Sequence, residues 1–143
     1  DALEQSDRLL QATWDGDFQT VADILDAVHS ENTSILTYND ENSLSCVIAI
    51  AYYSAMKEYT MIRELPSGKG FADIVFLPKR FSDKPAMVVE LKCNDSADSA
   101  LAQIREKNYA DSLKDYKGNL ILVGINYDKK TKKHDCVIEK SIF

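Results

Sequence analysis

No two cysteines of this chain lie close enough in sequence to make a zinc or redox centre: Cys46, Cys93 and Cys136 are odd in number, far apart and outside any CxxC spacing. That excludes a secreted disulfide scaffold and reads as three buried, reduced thiols. Long apolar runs are missing too. The stretch Cys46-Val-Ile-Ala-Ile-Ala-Tyr-Tyr53 is eight residues long, whereas a bilayer-spanning helix takes about 20. With no signal peptide visible, the expected setting is cytoplasmic. The first residue is Asp1 and not methionine, which reads as a piece of a longer protein. Basic side chains are nearly absent from residues 1–50, where ten acids face Arg8 alone for a net charge of −9. Residues 51–143 hold thirteen acids and sixteen bases, a net of +3. That balance permits nucleic-acid binding without demanding it, because strong sequence-independent affinity takes many Lys and Arg contacts to phosphate.

Several catalytic patterns are also lacking. Gly68-Lys-Gly70 does not have the spacing of a phosphate-binding P-loop and reads as a turn. His29 and His134 stand without a ligand pattern and read as surface or internally satisfied polar residues; no Ser-His-Asp or Cys-His arrangement is indicated. Internal repeats, low-complexity tracts and long linkers are absent, so 143 residues make one compact domain. Within it, residues 1–35 form an acidic helical lead-in packed on a core of residues 36–143.

What is present is ordinary globular material, 45% hydrophobic and 28% charged. Leu3, Leu10 and Trp14 recur at helical spacing up to Gly16; after Asp17, a plausible N-cap, Phe18, Val21, Leu25 and Val28 mark a second helix face. A third helix is expected from Asn39 or Asp40 to about Lys57, with Leu44, Val47, Ile48 and Ala51 inward. Strands follow at 59–65, 71–77 and 86–92, separated by turns at 66–70 and 83–85. A long helix is expected over 96–116, capped by Gly118. Asn119 to Asn126 is the most hydrophobic strand and belongs inside the sheet. Lys129 to Lys133 reads as a basic loop before a short last strand starting at Cys136.

The third strand holds the chemistry. Met87-Val-Val-Glu-Leu-Lys92 is apolar enough for a core strand, yet two charges interrupt it. Side chains alternate along a strand, so Glu90 and Lys92 share a face, about 7 Å apart along the chain. The preceding strand carries one acid, Asp73, which a meander would set beside Glu90. Charges in an interior sheet are costly unless they pair or hold a metal. Two carboxylates, a backbone carbonyl and waters suit Mg²⁺ or Mn²⁺, and an adjacent lysine suits phosphodiester hydrolysis. On a solvent-facing edge strand the same Glu and Lys would make only a weak surface ion pair.

Gly70-Phe-Ala-Asp73 followed by Val88-Val-Glu90-Leu-Lys92 resembles the PD-(D/E)XK signature of restriction-endonuclease-like nucleases, with seventeen residues from Asp73 to Glu90 and Ala72 in place of the proline. More narrowly, the chain resembles the C-terminal nuclease-like domain found behind a predicted AAA-type ATPase in many bacterial proteins. Leu9-Leu10 through Val28, Asn39-Asp-Glu41, Ala102-Gln-Ile-Arg-Glu-Lys-Asn-Tyr109 and Val123-Gly-Ile125 carry that likeness. The resemblance implies an α/β fold with an α-β-β-β-α-β core, a mixed central sheet flanked by helices, and two helices in front. It implies metal-binding roles for Asp73 and Glu90 and a catalytic role for Lys92. Glu41 matches an additional acidic ligand, a position that a first-turn glutamate also fills for the helix dipole. Gln103 resembles the helix glutamine of Q-x-x-x-Y exonucleases, although the tyrosine comes six residues later, at Tyr109, and not four. The implied activity is Mg²⁺- or Mn²⁺-dependent cleavage of DNA, with RNA as an alternative substrate, in a protein whose other part is the ATPase. The competing expectation is a catalytically silent nuclease-like module for regulation or protein interaction, which the acidic N-terminal helices favour.

Overall fold

The computed structural model describes residues 2–32, 41–63, 73–106, 113 and 119–141, without the side chains at 41, 42, 73 and 141. Helix α1 (Ala2–Asp15) buries Ser6, Leu9, Leu10, Ala12 and Thr13 along one stripe. Gly16 stops it at φ +77°, where a residue without a Cβ is at ease. Asp17 then caps α2 (Phe18–Glu31) by accepting the Thr20 N–H at 3.2 Å and the Thr20 hydroxyl at 2.6 Å. Val21, Ala22, Ile24, Leu25 and Val28 form its buried face. Leu3 and Phe18, both expected on these inner faces, stay exposed at 44% and 47% because each lies in the first turn, beyond the packed stripe.

Helix α3 (Glu41–Ala51) buries Leu44, Val47, Ile48 and Ala51 as expected, but it does not continue to Lys57. A short 3-10 turn, Tyr53–Lys57, replaces its last part. The reason lies in α1. The Ser6 hydroxyl donates to the Ala51 carbonyl at 2.7 Å, and the Ser54 N–H donates to Ser6 Oγ at 2.9 Å. Ala51 O and Ser54 N are thereby drawn out of the α-helical ladder, and Ala55 N–H turns to the Tyr52 carbonyl at 2.9 Å.

The sheet has five strands in the order β1-β2-β3-β4-β5. β1 (Tyr59–Arg63), β2 (Asp73–Pro78) and β3 (Ala86–Cys93) form an antiparallel meander. α4 (Ala97–Glu106) carries the chain over to β4 (Leu120–Asp128), which pairs parallel with β3 and antiparallel with β5 (Lys133–Ser141). The parts of the fourth helix expected at 107–112 and 114–116, with Gly118 and the turn at 66–70, lie outside the described residues. β5 starts earlier and runs longer than the short strand expected from Cys136. It is an edge strand, and the charges of Lys133, Asp135, Glu139 and Lys140 on either side of Cys136-Val-Ile138 conceal its length.

The sheet separates two apolar layers. Phe76, Met87, Val89, Leu91, Val123, Ile125 and Tyr127 meet α1, α2 and α3 on one face. On the other, Val75, Ala86, Val88, Leu120 and Leu122 meet Leu101 and Ile104 of α4, together with Leu113. The result is a mixed α/β fold with an α-β-β-β-α-β core, two helices before it and a fifth strand after it. No helix among the described residues is long and apolar enough to cross a membrane.

Candidate active site

The β2–β3 register sets Asp73 directly opposite Glu90, followed by Ile74 opposite Val89 and Val75 opposite Val88. Glu90 has no solvent exposure, in a strand whose residues from Ala86 to Leu91 are all buried. By alternation it shares the α4 face with Ala86 and Val88, and Lys92 follows on that face, half-buried. Glu90 and Lys92 therefore are not a surface ion pair on an outer strand: β3 is the middle of the sheet.

Two residues of β4 complete this end of the sheet; sequence reasoning gave neither a role, although Gly124 lies within the Val123-Gly-Ile125 segment of the family likeness. Gly124 stands opposite Glu90, and Asn126 opposite Lys92. A Cβ at Gly124 would lie 2.4 Å from the Ala97 carbonyl oxygen and 2.8 Å from the Leu101 nitrogen. The first turns of α4 thus rest on the bare backbone beside Glu90. Asn126, 3% exposed, accepts the Asp95 N–H at 3.0 Å and so fixes the loop that leaves Lys92. The signal for both was present: a glycine and an asparagine break the most hydrophobic strand two residues apart, as Glu90 and Lys92 break β3.

Asp73, Glu90 and Lys92 are thus brought to neighbouring positions of the sheet. The other two candidates are not joined to them by any described contact. Gln103 is half-buried on α4. Glu41 opens α3, which packs on the opposite face of the sheet, and its side chain lies outside the described residues, as do the side chain of Asp73 and all of Tyr109. Among the described residues no group of three His, Cys, Asp or Glu side chains gathers as a metal site. Two acids with a backbone carbonyl remain an all-oxygen donor set, which fits Mg²⁺ because that ion keeps several of its waters.

The remaining polar clusters do different work. His134 is buried and satisfied: its Nδ1 lies 2.8 Å from Asp26 Oδ1, which also accepts the His134 N–H at 2.7 Å. For Asp26, burial pushes the carboxyl up, but the hydrogen bonds from His134, with the positive charges of His134 and Lys133, outweigh it and leave the pKa below the ordinary 3.8. His29 stacks on Tyr127 at 4.4 Å, and burial, then the charge of His134, lowers its pKa from 6.5. Its Nδ1 is buried without a hydrogen-bond partner among the described residues, so unlike His134 this half-buried ring is not fully satisfied. Of the cysteines only Cys136 is buried, contrary to the expectation for all three; Cys46 and Cys93 are half-buried. Burial pushes the Cys136 thiol up to about 12, which leaves it un-ionised and unreactive at neutral pH.

A mixed sheet with an acid on each of two adjacent strands, a lysine two residues on, and a crossover helix above them defines a nuclease-like fold. The chain belongs to the PD-(D/E)XK nuclease superfamily, whose model matches residues 39–136, more than half of it. The match runs from just before α3 into β5 and includes Glu41, Asp73, Glu90, Lys92 and Gln103. No curated protein matches the chain.

Proposed function

We propose that this domain is a Mg²⁺- or Mn²⁺-dependent nuclease that hydrolyses phosphodiester bonds in DNA, working within a larger protein whose partner domain is an AAA-type ATPase. The observation that carries the reading is the pairing of Asp73 with a fully buried Glu90 on interior strands, with Lys92 on the Glu90 face. Asp73, Glu90 and a backbone carbonyl hold the cation; Glu41 is proposed as a further acidic ligand. When bound, the ion polarises a phosphoryl oxygen and lowers the pKa of a bound water. Lys92 Nζ orients the attacking water and offsets charge that grows on the phosphate. Gln103 positions the substrate from α4. Glu90 is fully buried, and α4 packs directly on the Gly124 backbone opposite it.

The test is nicking of supercoiled plasmid and degradation of linear single- and double-stranded DNA and of RNA, with Mg²⁺ or Mn²⁺. Wild type is run beside Glu90→Gln and Lys92→Ala. Each substitution is expected to lower metal-dependent cleavage by about 100-fold or more. Cleavage that survives both would sink the assignment.

A second reading, a silent module that docks its ATPase, is favoured by the acidic N-terminal helices and by one structural observation. Ile50, Tyr53 and Met56 are exposed at 41%, 63% and 53% and recur every third residue across the end of α3 and the 3-10 turn. Calorimetry separates the two: Mn²⁺ binding that disappears in Asp73→Asn and in Glu90→Gln belongs to the enzyme and not to the module.

A further inference from the structure

The turn between β4 and β5 carries Lys129, Lys130, Lys132 and Lys133 within five residues, all exposed. Other groups build this turn. Asp128 Oδ1 accepts the Lys130 N–H at 2.8 Å and the Thr131 N–H at 3.3 Å, and the Asp128 carbonyl accepts the Lys132 N–H at 2.8 Å. Asn94 Oδ1 accepts the Lys129 N–H at 2.9 Å, while the Asn94 N–H donates to the Tyr127 carbonyl at 2.8 Å. The fold therefore uses the backbone of these lysines and keeps their side chains exposed, with only the charge of Lys133 felt by Asp26 and that of Lys129 felt by Cys93. Among the described residues no carboxylate forms an ion pair with them. Asp128, opposite Lys133 in the register, is hydrogen-bonded by the turn amides, and Asp26, which feels the charge of Lys133, is hydrogen-bonded by His134. Four like charges held in one turn repel one another, and a chain of net charge −6 has acids enough to pair them. No acid among the described residues does so at ion-pair distance.

Their place in the fold says what lies near them. Lys92 stands opposite Asn126 and Cys93 opposite Tyr127, so the turn begins at Lys129, three residues beyond Lys92's partner. At about 3.3 Å per residue, Lys129 lies roughly 10 Å past Asn126, at the Lys92 end of the sheet. Asn94 ties the strand that carries Lys92 to the turn through both of its hydrogen bonds. Along one strand of duplex DNA, with a phosphate every ~3.4 Å of axis, 10 Å is about three nucleotides.

We infer that the β4–β5 turn is the phosphate-backbone clamp of the nucleic acid that the Asp73–Glu90–Lys92 site acts on, gripping it about three nucleotides from the scissile bond. This rests on the nuclease reading above and adds the surface by which the substrate is held. Each lysine neutralises one phosphate, without reading sequence.

Anisotropy of a labelled DNA duplex, titrated in EDTA so that nothing is cleaved, tests it apart from the chemistry. The variant is Lys129→Gln with Lys130→Gln and Lys133→Gln; Lys132 is left in place because its φ is +60°. The control, of equal charge change, is Lys57→Gln with Lys79→Gln and Arg80→Gln, at the opposite end of the sheet, where the Lys79 N–H donates to the Glu58 carbonyl at 2.8 Å. The turn variant is expected to bind about ten-fold more weakly at low salt, with a log K against log salt slope shallower by about 0.9 per lysine removed. The control is expected to bind as wild type does. Equal loss in both variants, no loss in either, no binding by wild type, or preference of wild type for phosphatidylserine vesicles over DNA would each overturn the inference. The two failures stay distinguishable: a protein that cuts plasmid yet binds alike in both variants keeps the site and loses the clamp. One that binds through the turn and cuts nothing loses the nuclease reading.

Discussion

His29 is stacked on Tyr127, has His134 edge-on at 5.4 Å, and keeps its Nδ1 buried. Its neutral form is the one the fold accepts. The unfolded chain takes up a proton near 6.5, the folded protein only at lower pH. The unfolded state therefore binds more protons in that window, and stability falls as pH drops below about 6.5 until the folded pKa is passed. Asp26 acts lower down: its pKa is depressed from 3.8, so the stability it contributes is present above that value and is lost as pH falls through the folded one. Thermal melts at pH 7.5, 6.5 and 5.5 should show Tm falling with pH in wild type and falling less in His29→Phe, which keeps the stack and removes the titration. Parallel pH profiles for the two proteins would refute the role given to His29. None of this pairing was legible in the sequence, because Asp26 and His134 are 108 residues apart and neither letter breaks a local pattern. Glu90 and Lys92 were legible for the opposite reason: a charge inside Met87–Leu91 contradicts its own neighbourhood.

Element boundaries were set by contacts between elements. The apolar period of α3 continues past Ala51, and only Ser6, reaching across from α1, converts its end into a 3-10 turn. The seat of α4 is decided at Gly124. Alanine there would bring its Cβ against backbone atoms, the Ala97 carbonyl and the Leu101 nitrogen, which cannot swing aside as a side-chain tip can. Gly124→Ala is expected to destabilise the protein by about 1–3 kcal/mol, the usual penalty for overpacking. It should also weaken the candidate site, since α4 must lift from the strand beside Glu90. Urea denaturation reads the first effect; an unchanged midpoint and slope would show that α4 does not rest on this glycine.

Across the whole molecule, α1 and α2 are part of the core and do not merely cover it. Leu9, Leu10, Val21, Ile24, Leu25 and Val28 share one buried cluster with Phe76, Val89, Val123 and Ile125 of the sheet. At about 1.5–3 kcal/mol for each large apolar side chain, removing all six costs as much as the about 5–15 kcal/mol by which a domain is stable. A chain cut to residues 36–143 holds the whole of the stretch that matches the superfamily, residues 39–136, yet it is expected to aggregate or to lose its near-ultraviolet circular dichroism and cooperative melting. A soluble, cooperatively melting fragment would show instead that the core closes without these helices.

By itself the sequence determined the order of helices and strands, the interior strands and the Asp73, Glu90 and Lys92 pattern. Each of these is written in local periodicity, or in a charge that breaks it, and needs no knowledge of what lies across the sheet. Only the tertiary structure decided that Asp73 faces Glu90 in register, that Gly124 and Asn126 complete that end of the sheet, that α3 stops at Ala51, and that the basic turn stands at the Lys92 end. Those facts come from strand pairing and close packing between distant segments, where the deciding partner is another part of the chain and not a neighbour in sequence.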